Sequence, residues 1–151
     1  MRRYMHIQNS LVLMLLAVSH VAVAQYAMPQ VELTVGMHRI EAEVAATQEQ
    51  RAVGLMRRTE MAPQHGMLFV FTQDAPHCMW MRNTLLPLSV AFLDRNGKII
   101  NIEDMQPQTE NNHCAAGNAR YALEMNLGWF KRRGFSVGTS IAGIEKAPFP
   151  R

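Results

Sequence analysis

The chain has 151 residues, 48% hydrophobic and 18% charged, with a formal net charge of +3 at pH 7. Arg2 and Arg3 supply most of that excess, because beyond residue 24 the chain carries 13 basic residues against 12 acidic ones. The doublets Arg57-Arg58 and Arg132-Arg133 have no interleaved aromatic platform, so a solvated face is expected there and no nucleic-acid interface.

The first 24 residues divide into a basic start at Arg2 and Arg3, an apolar run over 11–23, and the small-x-small triplet Ala22-Val23-Ala24 before Gln25. That is the pattern of a secretory signal peptide. The apolar run has 13 residues, whereas about 20 are needed to span a bilayer. Cleavage would leave a single domain over residues 25–151, long enough to bury a core without metals, with no transmembrane segment and a periplasmic or secreted address. Both cysteines, Cys78 and Cys114, follow the leader. An oxidising compartment favours a disulfide between them, and two free thiols in a soft-metal site are the competing reading.

Val31, Leu33 and Val35 alternate with polar residues, as do Ile40, Ala42 and Val44 after Gly36-Met37, which predicts a β-hairpin. Thr47 and Gln50 have capping-box spacing ahead of a short helix over 48–56, with Ala52, Val53, Leu55 and Met56 as its buried face and Gly54 as a weak point. Strands are expected over 67–71, 78–82 and Leu88–Leu93, with a bend at Pro87. Asp94-Arg95-Asn96-Gly97 is a hairpin signal leading into a strand over 98–102. The polar run 106–118 reads as a long loop that a disulfide would tether. Tyr121, Leu123 and Met125 mark another strand, residues 127–133 a single turn ended by Gly134, residues 139–144 a last strand and 147–151 a frayed tail. Seven to eight short strands and one short α-helix predict a mainly β fold, a small β-barrel or β-sandwich with its core over about 31–144.

Several fragments recur in a recognisable order: Gln50-Arg51, Gly54-Leu55-Met56, Gly66-Met67 with Phe69 and Phe71, Trp80-Met81, Asn83-Thr84, Pro87-Leu88, and Leu123-Glu124 followed by Gly128. Together they resemble the domain-of-unknown-function family 192 of bacteria and archaea, whose members are often exported. Within it, His-Cys-Met-Trp-Met at 77–81 and His113-Cys114 are similar to a proteobacterial branch. The resemblance implies a compact, mostly β domain with a short helix, and no established substrate, cofactor or catalytic residue. Many relatives carry an acidic residue after the Pro-Leu pair where this chain has Ser89, so no carboxylate role transfers to that position.

Several mechanisms lack their residues. Of the serines after the leader, Ser89, Ser136 and Ser140, none sits in a Gly-x-Ser-x-Gly elbow. There is no His-Glu-x-x-His helix, phosphate loop or dinucleotide fingerprint. Asp74, Asp94, Glu103, Asp104, Glu110 and Glu124 are available for acid/base work, but no pattern selects a pair. Glu124 is the unusual one, set inside an apolar strand, and Arg51 and Arg82 are its expected ion-pair partners.

Two site hypotheses remain. On a strand over 78–82, alternation would place His77, Met79 and Met81 on one face, where His113 could complete a soft Cu(I) site. Core packing by methionine is the plainer alternative. The second site is a polar pocket of Arg82, Asn83 and Thr84 beside Trp80, reached by Arg51 and Glu124, for a small ligand or peptide. Its plainer alternative is a tight corner in which Asn83 and Thr84 satisfy backbone groups. The expected function is an exported, disulfide-stapled, non-enzymatic binding module without a cofactor, acting on a small molecule or an envelope protein. A periplasmic copper-binding protein is the alternative, and an acid/base enzyme on envelope material the third reading.

Overall fold

The computed structural model describes residues 28–151. The expected leader, residues 1–24, lies outside the described residues. Eight strands, two short helices and a 3-10 turn follow one another: β1 (Gln30–Val35), β2 (His38–Ala45), α1 (Gln48–Val53), β3 (His65–Ala75), β4 (Cys78–Met79), β5 (Leu88–Leu93), β6 (Ile99–Met105), β7 (His113–Cys114), β8 (Ala119–Asn126), α2 (Trp129–Arg132) and the turn Ile144–Lys146. Six strands form one sheet in the order β1-β2-β3-β8-β5-β6, and β4 pairs with β7 in a separate two-stranded ladder. The β2–β3 pair is parallel, joined through α1, and the other pairs are antiparallel. The fold is mainly β, as the alternation predicts.

The central strands are buried on both sides, and the period of two sorts their residues between two cores. Leu68 and Val70 of β3, Ala91 and Leu93 of β5, and Leu123 and Met125 of β8 point into one core, completed by the β1–β2 hairpin, Trp129, Phe130 and Ile141. We call this the hairpin face. Met67, Phe69 and Phe71 of β3, Leu88, Val90 and Phe92 of β5, and Ala122 of β8 point into the other, covered by Leu55, Met81, Leu86, Met105 and Ala115. Most of that cover comes from the connections between strands, which makes it the loop face. Gly66 is required where β3 meets β8, because a Cβ there would run into the Met125 sulfur and the Glu124 carbonyl.

Helix α1 starts where the capping box predicts. The Gln50 N–H donates to the Thr47 hydroxyl at 3.1 Å, and the Gln50 side chain accepts from the Thr47 N–H at 3.0 Å. It is shorter than the expected 48–56, because Gly54 takes a positive φ of 48° and leaves the helix. None of the helix's own residues is buried, and Leu55, just beyond Gly54, supplies the contact expected of the helix face. Asp94 holds the β5–β6 turn, its Oδ1 accepting from the Asn96 and Lys98 N–H groups at 2.8 and 2.9 Å.

Three other expectations need correction. The strand over 78–82 is reduced to β4, whose partner β7 lies inside what reads as loop 106–118. The segment 139–144 is not a strand: Ser140 bridges Lys98 beside β6, and Ala142 bridges Thr34 of β1. Within three residues the chain passes from one edge of the large sheet to the other, so it ladders with neither, and the sheet is laced across without closing into a barrel. The expected frayed tail returns to the body, the Arg151 N–H donating to the Ala46 carbonyl at 2.8 Å.

Candidate functional site

Three non-glycine residues have left-handed backbone among the described residues: Arg57 (φ 62°), Asn83 (φ 56°) and Gln108 (φ 58°). They meet at one corner. The Arg57 N–H donates to the Asn83 carbonyl at 2.9 Å, the Gln108 N–H to the Thr84 carbonyl at 3.0 Å, and the Met81 N–H to the Thr109 carbonyl at 3.0 Å. Thr84 is 5% exposed, its N–H donating to the Met81 carbonyl at 3.0 Å and its hydroxyl to the Arg82 carbonyl at 3.4 Å. Asn83 and Thr84 thus sit in a tight corner, where the Thr84 hydroxyl serves a backbone carbonyl and Asn83 takes part through its own backbone. Such backbone costs about 1–3 kcal/mol per residue and persists where its surroundings over-determine it, a circumstance concentrated at ligand clamps and switches.

Below the corner, Met81, Leu55 and Leu86 fill the loop-face core. Above it, Trp80 is 45% exposed with the Arg82 guanidinium 5.6 Å from its ring centre, and Leu85 is 42% exposed. Arg82 Nε also lies 3.8 Å from a Glu110 oxygen. Arg57 is shared between this corner and an open cleft of about 1170 Å³ whose walls include Glu49, Gln50, Val53, Met56, Arg57 and Glu60. Its inner wall carries a bidentate pair in which both terminal nitrogens of Arg58 reach the Glu43 carboxylate. The Glu49 carboxyl is held below its ordinary range by its own backbone N–H and the Thr47 hydroxyl. A smaller pocket of about 420 Å³ shares Glu43, Arg58 and Glu60 and extends to His65. The cleft therefore carries both signs of charge and amide side chains, and the backbone hydrogen bond from Arg57 to Asn83 joins it to the corner that bears Trp80.

Of the expected ligand residues, Trp80, Arg82, Asn83 and Thr84 are consecutive parts of the corner, and Arg51 and Glu124 are engaged elsewhere. Arg51 donates to the Ala46 and Val70 carbonyls at 2.6 and 3.0 Å and to the Arg151 carbonyl at 3.3 Å, pinning β3 and the tail. Glu124 stands on the loop face of β8, with Met67 and Val90 directly opposite on its two neighbouring strands. It is 4% exposed, and burial raises its carboxyl to a pKa of about 8. Neither Arg51 nor Arg82 pairs with it, so the expected ion pair is replaced by a buried carboxyl held neutral by desolvation. Arg57, Glu43 and Glu60 are site residues that the sequence does not announce. A left-handed arginine carries no local signature, and the two glutamates converge only through the fold.

The soft-metal candidates are each engaged in packing or hydrogen bonding. His77 stacks on Phe71 with ring centres 3.8 Å apart, its Nε2 2.8 Å from the Gln73 carbonyl. Met81 is fully buried. Met79 and His113 do face one another across the β4–β7 ladder, and His113 also approaches Asn111 at 3.0 Å and Glu103 at 3.9 Å. Among the described residues no group of three or more His, Cys, Asp or Glu side chains is placed to hold a metal. Cys78 and Cys114 are directly opposite and joined, S–S 2.03 Å, which removes the free-thiol alternative. Ser89 donates to Asp104 on the adjacent strand and accepts from the Gly128 N–H at 2.8 Å, a closed structural triad.

Among the described residues no helix is long and apolar enough to cross a membrane. No functionally curated protein matches the chain. Two solved structures are similar to it. One is a Sinorhizobium meliloti 1021 protein described as a candidate transcription regulator, 40% identical, with a TM-score of 0.70 over 76% of this chain and 92% of that one. The other is a Novosphingobium aromaticivorans DSM 12444 protein of unknown function, 32% identical, with a TM-score of 0.74 over 78% of this chain and 88% of that one. A family model matches residues 31–143, from the first core strand to the end of the segment that laces the sheet, and the chain belongs to that family, DUF192, Uncharacterized ACR.

Proposed function

We propose that this protein is an exported, non-enzymatic binding module that takes a small polar ligand, or a short segment of an envelope protein, in the cleft beside the Trp80–Thr84 corner. The observation that carries this reading is the convergence of Arg57, Asn83 and Gln108 on one corner. Three separate loops hold strained backbone there, beside a half-exposed tryptophan and an open cleft. Strain of that kind fixes side chains ahead of binding and so reduces the ordering cost when a ligand arrives. Trp80 offers a face for stacking, Arg57 and Arg82 offer donors, and Glu49 and Glu60 offer acceptors, which suits a ligand with both polar signs and a flat apolar part.

Export is supported by the Cys78–Cys114 bridge, since such bonds persist in oxidising compartments. Mass analysis of the protein recovered from the cell envelope should find a chain beginning at Gln25 with the bridge intact. A full-length chain in the cytosol would end that part of the proposal. An acid/base role finds no support at Glu124, which lines neither cleft and whose titration is moved by burial alone.

A thermal-shift screen of sugars, small acids and amino-acid derivatives tests binding. A true ligand at a hundred times its dissociation constant adds about 2.7 kcal/mol of stability. It should also change the fluorescence of Trp80, whereas the emission of Trp129, 1% exposed in the core, should stay constant. Arg57→Ala and Trp80→Ala should each weaken the response. A ligand that stabilises those variants as much as the parent would place binding elsewhere.

The facing pair Met79 and His113 keeps a copper reading in play as a second proposal. Cu(I) should then stabilise the parent but not a Met79→Ala/His113→Ala variant. Equal responses of the two, or no response, would remove it.

A further inference from the structure

We propose that the end of the molecule formed by the β1–β2 turn and the segment 131–137 docks on an anionic lipid surface. Met37 at the tip of the turn is 95% exposed, and Val137 is 67% exposed. Phe135 holds them at one end: its ring lies 3.3 Å from where a Cβ of Gly36 would stand, and its centre is 5.8 Å from that of His38. His38 also meets the buried Trp129 edge-on at 6.0 Å. Two apolar side chains thus project from a rigid aromatic base.

The charges on segment 131–137 beside them are all positive. Lys131 and Arg132 are exposed on α2 while Trp129 and Phe130 of the same helix are buried. Arg132 folds back to donate to the Leu127 carbonyl at 2.8 Å, and Arg133 lies 4.3 Å over the Trp129 ring. No carboxylate among the described residues forms an ion pair with any of these three cations. The acidic group paired nearby is Glu32, 3.6 Å from Arg39. Neither cleft reaches this end, so the surface suits a broad partner in preference to an enclosed small ligand. Exposed apolar tips ringed by Lys and Arg match a bilayer interface, where the tips enter the acyl boundary and the cations meet phosphate headgroups. The charge balance selects anionic lipid over zwitterionic lipid.

Vesicle sedimentation tests the idea independently of the cleft. Parent and variant chains of equal length are compared, so any contribution of residues 11–23 cancels. The parent should partition more strongly onto phosphatidylglycerol–phosphatidylcholine vesicles than onto phosphatidylcholine alone, with the difference shrinking at high salt. Lys131→Gln/Arg132→Gln should reduce the anionic partition roughly 25-fold, at about fivefold per cation. Met37→Ser/Val137→Ser, at exposed positions that the fold does not use, should reduce it by roughly tenfold at unchanged charge. Equal binding of the parent to both vesicle types, or variants that bind like the parent, would overturn the proposal. So would binding of a short DNA duplex that falls with the charge variant and ignores Met37→Ser/Val137→Ser.

Discussion

The two faces of the large sheet share the same strands and differ in what covers them. The hairpin face is closed by regular structure and aromatic packing, with Trp129 anchored by its Nε1 donating to Gln64 at 2.9 Å. The loop face is closed by the disulfide ladder and by three connections that contain every left-handed non-glycine residue described, and beneath them lies the buried Glu124 of β8. One side is built for stability, and the other holds strain and an unpaired carboxyl on the same scaffold. That division is what a rigid sheet permits, since loops can carry special backbone only where something else supplies the stability.

The comparison breaks most visibly at Trp129. Replacing it by alanine should cost about 3–5 kcal/mol through cavity formation. Urea unfolding should show the loss, while any ligand response at the cleft keeps its affinity in the fraction still folded.

On the opposite face, removing the staple with Cys78→Ala/Cys114→Ala should cost up to about 4 kcal/mol in the chain-entropy account of a closed loop. Here the cleft response should weaken together with stability. A variant that loses stability and keeps full binding would show that the corner does not depend on the ladder.

Glu124 sharpens the contrast through pH. Its folded pKa, about 8, lies above the ordinary 4.5. The unfolded chain therefore ionises first, and stability, complete below the ordinary value, is lost as pH rises towards 8. The slope is about 1.4 kcal/mol per pH unit, or roughly 3 kcal/mol between pH 5 and pH 7. Denaturant titrations should find that slope in the parent and a nearly flat profile in Glu124→Gln. Parallel profiles would mean that the carboxyl is solvated.

The smallest effect concerns strain. Asn83→Gly removes the Cβ penalty at φ 56° against a gain in unfolded-chain entropy, so the net change should stay within about 1 kcal/mol. Thermal unfolding measures it. Ligand affinity should fall if the Asn83 side chain takes part, which separates a purely structural corner from a binding one.

Much of the fold is legible because it rests on period and local chemistry. The alternation at Val31, Leu33 and Val35 gives β1, Thr47 with Gln50 gives the helix start, and Asp94 to Gly97 gives the tight turn. The segment 139–144 misleads because Ile141 and Ile144 are buried as core residues, yet its backbone serves two edges that only the folded sheet brings near each other. Residues 78–82 mislead similarly, since Trp80 and Met81 follow a corner where a pleat was expected. Trp80, Arg82, Asn83 and Thr84 stand in one sequence fragment, so their proximity could be read directly. Arg57 and Gln108 join them through long-range backbone hydrogen bonds that leave no mark on residue type.

By itself the sequence determined the mainly β class and the faces of the core strands through side-chain period and turn chemistry, favoured a cysteine pair through an even thiol count, and pointed to the family through the order of its motif fragments. Tertiary structure alone decided that Glu124 has no cationic partner, that His77 stacks on Phe71 while Met81 is buried in the core, and that three loops share one strained corner. Each of those depends on where distant backbone segments come to rest, and burial and strain are properties of that arrangement rather than of any residue in the chain.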